Sequence, residues 1–501
     1  MDLAESPYAA VHETHIGVVF LVGDRAYKIK KPVHTGFLDF STPQLRVNAC
    51  RREVELNRRL APDVYLGLAE ITDPAGGPAE PAVVMRRMPP STRLSTLVSL
   101  GAEVSAHLRA LARLLAAFHT HAPRGPRIDA EGSRDALLTR WNDSFAQVER
   151  FRGRVLDDAV QSDIERLTHQ FLAGREALLD DRVTEGRVLD GHGDLIADDV
   201  FCLADGPRAL DCLEFDDRLR YVDGLDDAAF LAMDLDRLGR PDLAEDFLDD
   251  YAEFSGDPSP AALRQHYIAY RAFVRTKVAC LKYEQGDRSA GDDVKRYADL
   301  TLRRLELGSV RMALVGGLPG VGKTTVAGAL ADGAGAVLLS SDRLRKEMAG
   351  LDPLTPAPAG YRDQLYAPAE TDHVYAELRR RAALLLARGE SVVLDASWTS
   401  AEQRRRAIEL AQANSAVLVE LRCVAPADIA ATRMLSRSPG PSDASAPIAT
   451  AMAVDADPWP FATEVPTDGP LAESSTVASS AWHRAVHQTG WTSFPFSPTR
   501  G

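Results

Sequence analysis

Residues 317–324 read GLPGVGKT. The stretch satisfies G-x-x-x-x-G-K-[ST] at every position, and its flanks decide what it means. An apolar run, MALVG at 312–316, precedes it, and the helix-forming TTVAGALAD at 324–332 follows. Strand, glycine-rich turn and helix, in that order, let a backbone curl around phosphate oxygens and aim a helix N-terminus at them. Gly317, Gly320 and Gly322 remove the Cβ atoms that would crowd such a turn. Lys323 is placed to neutralise β- and γ-phosphate charge, and Thr324 to ligate Mg2+. The expectation is ATP held with Mg2+ by Gly317, Leu318, Pro319, Gly320, Val321, Gly322, Lys323, Thr324 and Thr325.

From this loop to about residue 436, strand-like runs alternate with helical ones: AVLLSSD, SVVLDAS and AVLVELRCV are each followed by a helix-forming segment. That alternation predicts an α/β domain with a parallel sheet. Two carboxylates end strands, Asp342 and Asp395, and strand C-termini face the ligand crevice in such sheets. Asp342 also suits a helix N-cap before RLRKE, and Asp395 suits a metal-side carboxylate or a strand-end cap. Arg433 and Arg437 share one helix face at i, i+4; they can reach the same phosphates or form a solvated face. From about residue 437 the composition turns to Ser, Ala, Pro, Thr and Asp, which reads as a lid followed by a disordered C-terminal tail.

GLPGVGKTT, SSDRLRKE, VVLDASW and CVAPADIAATRMLSR together resemble the small-molecule P-loop kinases of the gluconate-kinase and adenylate-kinase type. The resemblance implies that Asp342 contacts the acceptor hydroxyl and that a lid arginine, Arg433 or Arg437, contacts phosphates. WPFATEVPTDGPL at 459–471 resembles the late adenine-side loop of that family.

The N-terminal portion follows a different plan. Residues 15–33 read as two strands around a Gly23-Asp24 turn. A helix over RVNACRREVELNRRL, a short buried strand at PAVVMRRMP and a strongly amphipathic helix at EVSAHLRALARLLAAFHTHA follow. Then comes a loop, HGDLIADDV at 192–200, and two short strands, VFCL and ALDCL, around a Gly-Pro turn. Residues 224–306 read as helical, and a boundary falls at ELGSV, 306–310. The division expected is 1–307 and 308–501.

HGDLIADDV followed by ALDCLEFD, with RAYKIKK upstream, resembles the aminoglycoside-phosphotransferase family, whose fold is that of the protein kinases (α+β). The resemblance implies that Asp194 accepts the acceptor proton and that Asp211 is the main Mg2+ ligand. Asp199 stands where that family has a metal-binding Asn, with Asp198 as an alternative ligand. Lys28, or Lys30 on the same face, matches the phosphate-binding lysine, and Glu53 its helix partner. The aspartate at 199 leaves open whether this loop still transfers phosphate. The pairing of the two halves, with ETHI, YKIKKPV, LDCLEFD and GLPGVGKTT as they stand, resembles a bacterial two-domain family.

The chain has 501 residues, 45% hydrophobic and 26% charged, with net charge −14. That acidity argues against a nucleic-acid partner, and clusters such as QRRRAIE read as solvated helix faces. The five cysteines form no C-x-x-C pair, which argues against a disulfide framework and a thiolate zinc site. With no apolar run of about 18 residues and no leader-like start, a soluble cytoplasmic protein is expected, with no membrane partner. The function expected is an ATP-dependent kinase of a small-molecule hydroxyl on a sugar, sugar acid or amino sugar. The P-loop portion is its more secure site. The alternative is a regulatory ATPase whose N-terminal portion senses a ligand.

Overall fold

The computed structural model describes residues 8–13, 17–34, 39–72, 79–352, 364–436 and 445–487. The chain forms two compact units. The first holds Met1–Glu165, Leu179–Ser259 and Leu263–Leu305; the second holds Glu306–Gly501 together with Arg166–Leu178 and Pro260–Ala262.

The first unit opens with an antiparallel sheet. Its strands are β1 (Ala9–Glu13), β2 (Gly17–Val22), β3 (Arg25–Lys30), β4 (Tyr65–Ile71) and β5 (Glu80–Arg86), in the order β1-β2-β3-β5-β4. The β2–β3 hairpin turns at Gly23, whose φ of +58° suits a residue without a side chain. Lys28 and Lys30 are two apart on the central strand β3, so they share one face.

The helix Pro43–Asn57 covers this sheet. Thr42 caps it by accepting the Leu45 N–H, and Pro43 occupies its first turn. Cys50 and Val54 of this helix bury against Val83 of β5, Tyr65 of β4, and Phe201 and Leu210. That apolar packing carries polar neighbours with it: Glu53 comes in beside Val54, and Asp211 beside Leu210.

Two small antiparallel pairs frame the 191–199 loop. β6 (Val188–Asp190) pairs with β9 (Tyr221–Asp223), and β7 (Val200–Leu203) pairs with β8 (Gly206–Ala209). The second strand of the latter hairpin therefore differs from the expected ALDCL. It starts at Gly206 and stops at Ala209, because Asp211 adopts φ +63°, which no strand accommodates. The rest of the unit is largely helical, including Ser105–His121, Gly224–Arg237, Pro241–Ser255, Ala261–Glu284 and Ala290–Leu307.

The second unit is an α/β domain around a parallel sheet. Its strands are β10 (Arg311–Gly316), β11 (Val337–Ser340), β12 (Val392–Asp395), β13 (Val417–Val424) and β14 (Thr463–Pro466), in the order β11-β12-β10-β13-β14. Every residue of β10 is buried, as a central strand with both faces covered must be. The GLPGVGKT turn leaves the C-terminal end of this strand and enters the helix Lys323–Ala334. Val326, Ala327, Leu330 and Ala331 of that helix pack into one core with Val315, Val393 and Leu421.

Candidate functional site

The turn after β10 has the backbone that its glycines allow. Gly317, Gly320 and Gly322 take φ of +143°, +82° and +87°. A Cβ on Gly320 would lie 2.5 Å from the Ala430 carbonyl, and one on Gly317 would lie 2.7 Å from the Cys423 carbonyl. The turn is thus pressed against β13 and the helix Ala427–Ser436, and only glycine fits. Leu318 packs on the core and Val321 is buried in it, while Pro319 lines the adjoining cavity. Gly322 precedes the helix, and its carbonyl accepts the Thr325 N–H.

At the start of that helix, Thr324 Oγ1 donates to Asp395 Oδ2 at 2.9 Å. Asp395 ends β12 beside β10, so the sheet register itself brings the two together. Its other oxygen, Oδ1, is buried without a hydrogen-bond partner. Burial pushes this carboxyl upward, against the opposing pull of Lys323 and the Thr324 hydroxyl. A hydroxyl and a carboxylate with one unused oxygen are the hard oxygen donors that a largely hydrated Mg2+ accepts.

Arg433 Nη2 donates to the Thr467 carbonyl at 2.6 Å, and Thr467 Oγ1 donates to the Val321 carbonyl at 2.5 Å. Arg433 Nη1 lies 3.7 Å from where a Gly322 Cβ would sit. Arg433 is therefore beside the turn rather than on an open face, and the 459–471 segment folds back to the same place. Arg437 lies outside the described residues. So do residues 437–444 of the stretch expected to include a lid, and residues 488–501 of the expected tail.

Beyond Lys323 opens a cavity of about 370 Å3, lined by Asp342, Arg345, Tyr375, Ser397, Gln403 and Met452 among others. Asp342 sits in the first turn of the helix Ser341–Met348, but the N-cap is Ser340, so Asp342 is not the capping residue. Tyr375 Oη lies 3.1 Å from Ser397 Oγ and accepts the Trp398 N–H. Trp398, at φ +52°, is fully buried and fixes the wall just after Asp395. Ile448 and Met452 of the helix Ala446–Val454 border the cavity from the segment expected to form a lid. Within QRRRAIE, Arg405 and Arg406 pair with Glu402 in solvent, whereas Arg404 is buried on the Trp398 and Pro458 carbonyls.

The first unit assembles a second cluster. Lys28 Nζ lies 2.9 Å from Glu53 Oε1 and 2.5 Å from Asp211 Oδ1. Lys30 Nζ lies 2.6 Å from Glu53 Oε2 and also pairs with Glu214. Both lysines thus share one fully buried glutamate. Lys28 keeps 15% side-chain exposure where Lys30 has none, so Lys28 is the one a ligand can reach. Asp211 is half-exposed, and the Lys28 ammonium beside it holds the carboxyl below its usual range. Glu214, three residues after Asp211, escaped the sequence reading although it lies within the quoted LDCLEFD.

The 191–199 loop is held from below. Asp227 accepts the backbone N–H groups of His192 at 2.7 Å and Gly193 at 2.8 Å, and lies 2.9 Å from His119 Nε2. Asp234, two helical turns on, accepts the Ala197 N–H at 2.9 Å. A Cβ on Gly191 would lie 2.6 Å from Asp227 Oδ2, which explains the first glycine of GHGD. His192 is fully buried, with Nε2 3.0 Å from the Leu210 carbonyl and Nδ1 accepting the Asp194 N–H. Burial pushes its pKa down, so the ring is a neutral structural bracket.

Asp194 Oδ1 receives a hydrogen bond from Arg275 Nη2 at 2.6 Å. Arg271, one turn earlier on the helix Ala261–Glu284, is buried on Asp226. Asp199 is half-buried; burial, Asp211 and Asp194 together push its pKa well above the usual carboxylate range. Asp198 turns away and accepts the Ser95 hydroxyl. Among the described residues no three His, Cys, Asp or Glu side chains converge as a metal-binding group. No helix among them is long and apolar enough to cross a membrane.

Residues 23–266 match the model of the phosphotransferase enzyme family, and residues 312–456 match an AAA domain. Uncharacterized protein Rv2004c of Mycobacterium tuberculosis is 44% identical over 484 residues, 97% of each chain. Among solved structures, a gluconokinase from Sinorhizobium meliloti covers 36% of this chain and 94% of its own, at 19% identity and TM-score 0.27. The GDP complex of wild-type aminoglycoside 2'-phosphotransferase-IIIa covers 60% of this chain and 94% of its own, at 15% identity and TM-score 0.36. The N-terminal portion has the aminoglycoside-phosphotransferase-like kinase fold, and the C-terminal portion is an α/β P-loop domain with a parallel five-stranded sheet. With a relative 44% identical over 97% of each chain, and a phosphotransferase-family model followed by a P-loop domain model in this chain, the chain belongs to the two-domain family that joins a phosphotransferase-family domain to a P-loop kinase-like domain.

Proposed function

We propose that the protein is an ATP-dependent phosphotransferase acting on the hydroxyl of a small molecule, with the P-loop unit as its principal site. One observation carries the reading: Pro319 and Lys323 of the phosphate-cradling turn border, with Asp342, one cavity large enough for a small polyol, and the Thr324–Asp395 pair follows directly after Lys323. In this reading the glycine turn and the helix N-terminus bind the ATP phosphates, and Lys323 neutralises charge developing on the transferred group. Thr324 and Asp395 would hold Mg2+, which would supply neutralisation of the phosphate charge there. Asp342 orients the acceptor hydroxyl and takes up its proton. Arg433, fixed by Thr467, meets the phosphates from the other side.

The first unit supplies a second site of the same chemistry. Lys28 binds phosphate, Asp194 receives the acceptor proton, and Asp211 with Asp199 holds Mg2+. Asp211 and Asp199 fit Mg2+ as oxygen donors, but Lys28 already holds Asp211, and Asp199 is disposed to keep a proton. This site is therefore the weaker of the two. The competing reading, a regulatory ATPase with a ligand-sensing N-terminal unit, draws on those same features.

The test is MgATP turnover across pooled sugars, sugar acids and amino sugars, with wild type, Lys323→Ala and Asp194→Ala side by side. Acceptor-dependent turnover lost in Lys323→Ala and largely kept in Asp194→Ala supports the principal-site reading. Turnover indifferent to every acceptor favours the regulatory ATPase.

A further inference from the structure

We infer that Arg275 is the phosphoryl-facing cation of the first unit's site. It holds Asp194 at rest, and it donates to the transferred phosphoryl group once an acceptor hydroxyl takes its place on that carboxylate. The inference rests on the first unit being the second phosphotransfer site, and it adds a residue that neither the HGDLIADDV loop nor the Lys28 cluster supplies.

Arg271 and Arg275 are one turn apart on the helix Ala261–Glu284, so they share a face. Both guanidinium groups lie over Phe230 of the helix Gly224–Arg237, 4.8 and 5.0 Å from the ring centroid. Their partners differ. Arg271 is buried, and its Nε and Nη2 are matched by the two oxygens of Asp226 at 2.7 and 2.8 Å. Arg275 keeps 20% side-chain exposure and has one acceptor, Asp194 Oδ1, 2.6 Å from Nη2. Its Nε and Nη1 donate to no acceptor among the described residues. The Arg271–Asp226 pair already fixes this face of the helix, and Asp227 and Asp234 already hold the loop amides. A second, half-open tie ending on Asp194 adds little to either.

Asp194 is 40% exposed. A pair this open to water stabilises a fold little, so a hydroxyl can displace Arg275 from the carboxylate or share it. In the transfer, the bond from the γ-phosphorus to the bridging oxygen of ATP breaks. A bond from that phosphorus to the acceptor oxygen forms, the hydroxyl proton passes to Asp194, and ADP leaves. The attacking oxygen must lie within hydrogen-bond reach of Asp194 and about 3 Å from the phosphorus. A guanidinium already bonded to Asp194, with two donors unused and its charge seated on an aromatic face, is within reach of the phosphoryl oxygens. Its field extends to the next carboxylate as well. Burial, Asp211 and Asp194 push Asp199 upward, while Arg275 and Lys28 pull against them. Arg275 thus stands on the acceptor side of these carboxylates as Lys28 stands on the nucleotide side. A cation fixed there before reaction stabilises charge on the group in transit without having to be ordered first.

The experiment is calorimetric titration of the full-length protein carrying Lys323→Ala, so that the first unit is read alone. The probes are MgADP and the β,γ-imido analogue of MgATP, which differ by the phosphoryl group. Arg275, Arg275→Lys and Arg275→Met are compared in that background. With Arg275 present, the imido analogue should bind about tenfold more tightly than MgADP. The preference should fall to about twofold or less in Arg275→Met, with MgADP affinity unchanged, and survive in part in Arg275→Lys, which keeps the charge but not the planar donor set. A purely structural role would lower both affinities together. Equal binding of the two probes with Arg275 present overturns the inference. So does a preference that persists in Arg275→Met, or a parallel loss of both ligands there. Should Arg275→Met fail to fold, Arg275→Gln, which keeps hydrogen-bonding capacity and loses the charge, takes its place. Absence of any nucleotide binding in the Lys323→Ala protein sinks the second-site reading itself, whereas binding without a phosphoryl preference sinks only the role of Arg275.

Discussion

In the proposed reading Lys323 and Lys28 serve the same task, and their surroundings are opposite. Lys323 stands at the head of a helix, where backbone N–H groups and the helix dipole already favour an anion. Asp395, whose charge it attracts, is the metal-side candidate, and Asp342, on the wall of the same cavity, is the acceptor-side candidate. Lys28 is held by two carboxylates at once, Glu53 and Asp211, and shares Glu53 with a second lysine. A phosphate reaching Lys28 competes with Asp211 for it; no comparable ion pair of Lys323 is seen among the described residues. A phosphate site built from backbone and one lysine is ready when folded. One built from a closed cluster of charged side chains must be opened first, so the two units should differ in nucleotide affinity.

The largest expected effect that would break this contrast comes from Lys30. Lys30→Met leaves Glu53 and Glu214 buried with one cation between them. Losing one partner of a buried pair costs about 3–5 kcal/mol, so the first unit should unfold at markedly lower urea while the second keeps its transition. Equal stability would mean that the cluster is not the closed network described. Next in size is Asp342→Asn. Turnover should drop by about 10²-fold or more, the range for removing a general base, with MgATP affinity nearly unchanged. A loss of nucleotide binding instead would move Asp342 to the phosphate side.

Asp227→Asn should cost roughly 2–3 kcal/mol, because charge-assisted hydrogen bonds to the His192 and Gly193 amides are weakened. Amide exchange at residues 192–197 would reveal it. The effect carries a pH signature. Burial opposes the Asp227 charge, yet His119 and the loop amides hold its folded pKa well below the ordinary value of about 3.9. Its stabilisation is therefore complete above that ordinary value and is lost as pH falls toward the depressed folded pKa. Wild type should lose protection between about pH 4 and pH 2, and Asp227→Asn should show a flatter acid limb. The smallest effect is expected at Asp199→Asn, which removes a like charge beside Asp211 and Asp194. MgATP binding at the first unit should tighten by no more than about tenfold, 1.4 kcal/mol. Weaker binding would mean that the aspartate is the better ligand there.

The same contrast explains what could be read from the chain. The GLPGVGKT turn and its flanks are contiguous, and contiguous residues carry their own geometry, so fold and turn were legible together. The Thr324–Asp395 contact joins positions 71 apart in sequence, yet it follows from two adjacent parallel strands ending at one level. Arg433 was readable only as one of two alternatives, since nothing local tells a solvated arginine from one that meets Thr467. In the first unit, Lys28, Glu53 and Asp211 were legible by family resemblance. Glu214, Arg275, Asp227 and Asp234 were not, because each earns its role by long-range packing. The i, i+7 spacing of Asp227 and Asp234 on one helix face was the one signal on offer. The ALDCL strand was misjudged because a left-handed residue at 211 leaves no mark in an apolar run.

The most direct measurement is equilibrium binding of MgATP to wild type, Lys323→Ala and Lys28→Met, counting sites per chain. The expected result is one tighter site abolished by Lys323→Ala and one weaker site abolished by Lys28→Met. A Lys323→Ala protein that keeps the tighter site would contradict the assignment of the P-loop unit as the principal phosphotransfer site.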